Sequence, residues 1–101
     1  MLEKILFGVD EEEVVVTPQK IIVKNLLFKT ELNDIVDNVK KDIVMIINVD
    51  EIKNKEELNY YLAFLEGAAY AVCGTFKQVS EKTYILSSEN VEVQDELHDI
   101  I

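Results

Sequence analysis

Arginine and tryptophan are absent from this 101-residue chain, and cysteine, proline and histidine occur once each. Ten lysines face twenty acidic residues, for a net charge of −10. A nucleic-acid backbone is held by a basic stripe, which this chain lacks, so nucleic-acid binding is excluded as a function class. The lone cysteine, Cys73, cannot close an internal disulfide and suits a reducing compartment. Three glycines, at positions 8, 67 and 74, cannot make a glycine-rich phosphate loop. No apolar run approaches the roughly 18 residues that span a bilayer. The first residues also lack the basic start and small-residue cleavage site of a secretory signal, so the expectation is a cytoplasmic protein.

Chemistry-bearing side chains are equally sparse. A zinc site takes three or four ligands, whereas His98 and Cys73 are single. His98 reads as a surface residue near the C-terminus, and Cys73 as small core filler beside a helix-ending glycine. Glu56 and Glu57 are neighbours at a helix start, where they favour the positive end of the dipole. Acid–base work would need two carboxyls converging across a cleft, which sequence neighbours do not provide. No catalytic, metal or cofactor site is expected.

What the chain does have is apolar surface, 49% of its residues, enough for one domain with a single core. Residues 1–9, MLEKILFGV, set Leu2, Ile5, Leu6 and Val9 at helical spacing. Residues 10–19 form an acidic spacer, and residues 20–101 the core domain. Lys20–Phe28 is the first strand. Thr30 is the expected N-cap of a helix over Glu31–Lys41, with Leu32, Ile35, Val36 and Val39 as its apolar stripe. Ile43–Asn48, IVMIIN, is the continuous apolar run of a central strand.

Asn54, with Glu57 three residues later, opens a long helix to about Val72. Its stripe is Leu58, Tyr61, Leu62, Leu65, Ala68, Ala69 and Val72. Thr75–Val79 and Thr83–Ser87 flank Ser80–Lys82 as a hairpin, and Val91–Val93 adds a last strand.

The order β-α-β-α-β-β-β predicts an α/β (α+β) two-layer sandwich, with a five-stranded mixed sheet and two main helices. In the central strand Ile43, Met45 and Ile47 point one way, Val44 and Ile46 the other. If both helices cover one face, the second needs a lid, and a second copy of the chain is the expected one. A helix on each face is the alternative.

The stretch FLEGAAYAVCGTFKQVSEKTYILSSENVEV, residues 64–93, then becomes specific. A helix ending in Phe-Leu-x-Gly-x-x-Tyr-Ala, a hairpin and an Asn-Val-x-Val strand resemble the SepF family of cell-division proteins. Upstream, VDNVKKDIVMIINV is similar to the family's first helix and following strand. The resemblance covers roughly Lys20–Val93. The chain departs from the family's usual glycine pair at Cys73-Gly74, in the length of DEIKNKEE and in its short spacer, which fits a divergent or archaeal member.

The resemblance implies a homodimeric adaptor, possessing no catalytic activity, that binds the C-terminal tail of the tubulin-like protein FtsZ. It also implies peripheral attachment to the cytoplasmic membrane at the division site. The tail contacts it implies fall on the hairpin at Gln78 and Tyr84, with Phe76, Lys77 and Lys82 around them. Phe64 and Tyr70 divide evenly between partner contact and core. Met45, Ile47, Gly67, Ala68, Ala71 and Gly74 are the expected dimer interface, and Leu2, Ile5, Leu6 and Phe7 the membrane contacts. One copy of that segment binds lipid marginally, so attachment is expected to be reversible and assembly-dependent. The alternative reading, from a different class, is a dimeric domain that senses a small molecule.

Overall fold

The computed structural model describes residues 20–94. Strand β1 (Ile21–Asn25) leads through a 3-10 turn (Lys29–Glu31) into helix α1 (Leu32–Lys40). Strand β2 (Val44–Asn48), helix α2 (Lys55–Ala71), and strands β3 (Thr75–Ser80) and β4 (Thr83–Ser87) follow. The sheet order is β1-β2-β4-β3, with β1 parallel to β2 and the other two pairs antiparallel. The expected two-layer α+β design therefore holds, but with four strands among the described residues. Val91–Val93 is not a strand. There the Ser88 hydroxyl donates to Asp42 at 2.6 Å and accepts the Asn90 N–H at 3.2 Å, while the Val91 N–H donates to the Ser88 carbonyl. Those local bonds turn the chain instead of extending the ladder.

Cross-strand partners share a face of the sheet, so the register sorts the side chains into rows. Ile22, Met45, Leu86 and Phe76 form one row, and Lys24, Ile47, Tyr84 and Gln78 the next. Both lie on the side where Leu32, Ile35 and Val39 of α1 and Tyr61, Leu65 and Ala69 of α2 complete the core. Each such aliphatic side chain contributes about 1.5–3 kcal/mol relative to exposure.

The opposite side carries the row Val23, Ile46, Ile85 and Lys77, bounded by a polar row of Asn25, Asn48, Thr83 and Ser80. There Ile21 is 59% and Val23 73% exposed, and Ile46 and Ile85 are half-buried. Both helices thus pack on one face.

Two helix boundaries arise by a different route from the one the sequence suggests. The helical segment before β2 is not capped by Thr30. Instead, the Glu31 carboxylate accepts the N–H groups of Leu27 (2.8 Å) and Phe28 (3.0 Å), fixing the turn from within. At the end of α2, the left-handed residue is Cys73 (φ 57°), not a glycine. The Cys73 N–H donates to the Tyr70 carbonyl, and the Gly74 N–H to that of Ala69 at 2.8 Å, the pattern of a Schellman motif. Cys73 is exposed rather than core filler. The start of α2 is as expected, with Asn54 Oδ1 accepting the Glu57 N–H at 2.9 Å.

Candidate functional site

The hairpin β3–β4 brings Phe76 and Tyr84 together on the helix-facing side of the sheet. Their rings stack with centroids 5.2 Å apart and planes 9° from parallel. Both are half-buried against the core, so their inner edges are fixed by packing and their outer edges are available. Gln78 pairs with Tyr84 across the ladder, and its Nε2 donates to the Glu81 carbonyl at 3.1 Å. A register shift between Gln78 and Ser80 bends β3 there, at the sheet edge. The product is an aromatic platform with one amide beside it, the type of surface that anchors a short peptide segment.

The other expected tail contacts separate from this platform. Lys77 pairs with Ile85 and so belongs to the opposite face. Lys82 lies in the hairpin turn, half-buried, its carbonyl accepting the Val49 N–H. Phe64 is packed against the core, whereas Tyr70 is 87% exposed and is not core. Leu2, Ile5, Leu6 and Phe7 lie outside the described residues, as does His98.

The six expected dimer contacts do not form one surface. Met45 and Ile47 are fully buried under the helices, because the helices took their side of β2; the open side belongs to Ile46. Gly74 presses against β4, where a Cβ would overlap the Ser87 carbonyl oxygen. Gly67 and Ala71 are exposed along α2, with Ala68 half-buried, and a Cβ on Gly67 would meet no atom within 4 Å. The outer side of α2 and the open side of the sheet face away from each other, so one two-fold contact cannot use both.

A second exposed cluster had only a faint signature in the sequence. Leu27 (45% exposed) and Phe28 (62%) stand out in the turn from β1 into α1, and Lys29, the next residue, reaches over the exposed ring of Tyr60 (49%) near the start of α2. Its one sequence signal is Glu31, three residues after Phe28.

That carboxyl also titrates unusually. Burial pushes it up, but the Leu27 and Phe28 N–H groups, with Lys24 Nζ at 3.2 Å, outweigh burial and hold it below the ordinary 4.5. A lowered folded-state value stabilises the domain above 4.5, and that stabilisation is lost as pH falls through the folded value. In denaturation series, Glu31→Gln is therefore expected to lower stability at neutral pH, with the gap to the parent narrowing below pH 4.5. A gap independent of pH would contradict the assignment. Tyr61 shifts the other way: burial and the Glu57 carboxylate accepting its hydroxyl at 3.1 Å both raise it. Among the described residues no three His, Cys, Asp or Glu side chains are grouped to hold a metal ion.

With this geometry in view, comparison with known proteins is direct. Residues 21–93 match the family model of the cell division protein SepF. The chain is 37% identical over 81 residues to the cell division protein SepF of Clostridium tetani, covering 80% of this chain and 52% of that protein. It is 30% identical over 74 residues to the SepF protein of Geobacillus kaustophilus, covering 73% and 51%. A SepF-like protein from Archaeoglobus fulgidus superposes with a TM-score of 0.70 at 19% identity, covering 76% of this chain and 94% of that one. One from Pyrococcus furiosus gives 0.66, also at 19%, covering 78% and 100%. The two archaeal structures share the fold.

The chain belongs to the SepF family, a family of non-enzymatic cell-division proteins. It spans about half the length of the curated relatives it matches.

Proposed function

We propose that this protein is a division adaptor that binds the C-terminal tail of FtsZ through its hairpin and tethers it to the membrane as a homodimer. The observation that carries this reading is the stacked, half-exposed Phe76–Tyr84 pair with Gln78 beside it. It supports a tail site at Phe76, Gln78 and Tyr84, with Lys82 at the turn and Lys77 contributing only from across the sheet. The exposed apolar row on the far face supports the homodimer, with Val23, Ile46 and Ile85 in place of Met45 and Ile47. Lipid contact at Leu2, Ile5, Leu6 and Phe7 rests on the helical spacing of Leu2, Ile5, Leu6 and Val9 in the sequence. No observation favours the small-molecule sensor over this reading.

One liposome flotation experiment separates the parts. The parent protein is expected to float and to carry FtsZ with it. A chain lacking residues 1–8 should leave both at the bottom. Tyr84→Ala should float alone, its affinity for an isolated tail peptide reduced about tenfold, as for loss of a central aromatic anchor. FtsZ carried up unchanged by Tyr84→Ala would remove the hairpin from the account, and flotation of the shortened chain would remove the segment.

A further inference from the structure

The exposed cluster at Leu27, Phe28 and Tyr60 is not part of the hairpin site. β1 ends beside the C-terminal end of β2, and the chain is held there by the Leu26 N–H donating to the Asn48 carbonyl and by the fully buried Leu26 side chain. The next residues do not turn inward. The Glu31 carboxylate takes the N–H groups of both Leu27 and Phe28, the Glu31 N–H donates to the Phe28 carbonyl at 3.0 Å, and Lys24 closes the arrangement. Two adjacent large apolar side chains are thus held in solvent by a fixed backbone.

The next residue, Lys29, lines a groove of about 510 Å³ together with Asn54, Glu56, Glu57, Tyr60 and Tyr61. Its size is within the range of sites that hold a small ligand or a few residues of peptide.

The electrical character of the groove selects the occupant. Two carboxylates, Glu56 and Glu57, stand against one ammonium, Lys29, in a chain of net charge −10. The positive end of α2 is already answered by the Asn54 side chain and by those two acids in its first turn. Lys29 itself sits above the Tyr60 ring, its Nζ 5.7 Å from the centroid, so the exposed ring face already receives a cation. An anionic ligand would meet the two glutamates and the overall field; a cationic one is attracted by both.

We propose that this notch is a docking site for a cationic peptide segment with an apolar anchor. A lysine or arginine of the partner would lie between Tyr60 and the Glu56–Glu57 pair, displacing Lys29, and an adjacent aliphatic or aromatic side chain would cover Phe28 and Leu27. Because the backbone is held before the partner arrives, little ordering is lost on docking.

The test uses the full chain, isotope-labelled, and the capped peptides Leu-Arg-Phe-Arg, Leu-Glu-Phe-Glu and Ala-Arg-Ala-Arg. The first is expected to shift the amides of residues 27–31 and 54–61 saturably, and the other two to bind at least about tenfold more weakly. Phe28→Ser and Glu56→Gln, both exposed positions, should each weaken Leu-Arg-Phe-Arg while leaving the remaining amide spectrum in place. Equal binding of Leu-Glu-Phe-Glu, no saturable shift, or shifts confined to residues 76–84 would overturn the proposal. So would the same amides responding to phosphatidylglycerol vesicles and not to the peptide, which would assign the patch to lipid.

Discussion

Replacing Gly74 with alanine is expected to destabilise the domain by roughly 3 kcal/mol, near the upper end of overpacking effects. The new methyl would overlap the Ser87 carbonyl oxygen and lie 3.1 Å from the Ser87 carbonyl carbon and 3.2 Å from the Ser88 Cα. All three atoms are backbone, so no side-chain rotation relieves the contact. The position is also pinned from the other side, since the Gly74 N–H closes the end of α2 on Ala69 and the next residue, Thr75, opens the ladder with Ser87. Relief would have to separate β3 from β4 or unwind the helix end. Cys73→Gly is the internal control. It introduces a residue at ease with φ 57° and should change stability by less than about 1 kcal/mol, in the favourable direction. Chemical denaturation of the two variants decides the matter; equal midpoints for Gly74→Ala and the parent would contradict this account of the glycine.

Ile46→Glu should convert the proposed homodimer to monomers, raising the dissociation constant about a hundredfold or more. Ile46 is at the centre of the open face, between Val23 on β1 and Ile85 on β4. A carboxylate there would be desolvated by a second sheet at the apolar centre of the row, between Val23 and Ile85. In the monomer it meets water, since Ile46 is only half-buried, so the fold should survive. Sedimentation at several concentrations, with far-UV circular dichroism as the check on folding, gives the readout. Gly67→Glu, on the outer side of α2, is the complementary variant. If it dissociates the dimer and Ile46→Glu does not, the helix ridge is the interface. A parent that sediments as a monomer throughout removes the homodimer altogether.

The behaviour of Ile46 marks where sequence reasoning ended. IVMIIN announced a central strand, and the strand is there, but its two sides are almost equally apolar. Alternation therefore does not say which side the helices take, and the expected interface at Met45 and Ile47 falls on the buried side. The long helix was readable because Asn54 and the spacing of Tyr61, Leu65 and Ala69 carry both its start and its inward stripe. At its end the sequence offers Gly74 as the helix-ending residue and Cys73 as filler, whereas Cys73 adopts the left-handed turn and Gly74 is needed for a close approach set by β4. Only tertiary contact creates that need. Phe76 and Tyr84 were legible as a pair because a hairpin fixes their relation locally. Lys77, one residue along, was bound to point away, which period-two alternation implies.

The carboxylate of Asp42 has a practical corollary. This residue, itself at φ 66°, accepts hydrogen bonds from Ser88 at 2.6 Å and from the Asn90 side chain at 3.2 Å, tying the turn before β2 to the chain beyond the last strand. An expression boundary drawn at Ser87, where the last described strand ends, would strip both donors from a partly buried anion. A minimal fragment should instead extend past Asn90, so that Ser88, Glu89 and Asn90 are kept as a fastener rather than trimmed as a loose end.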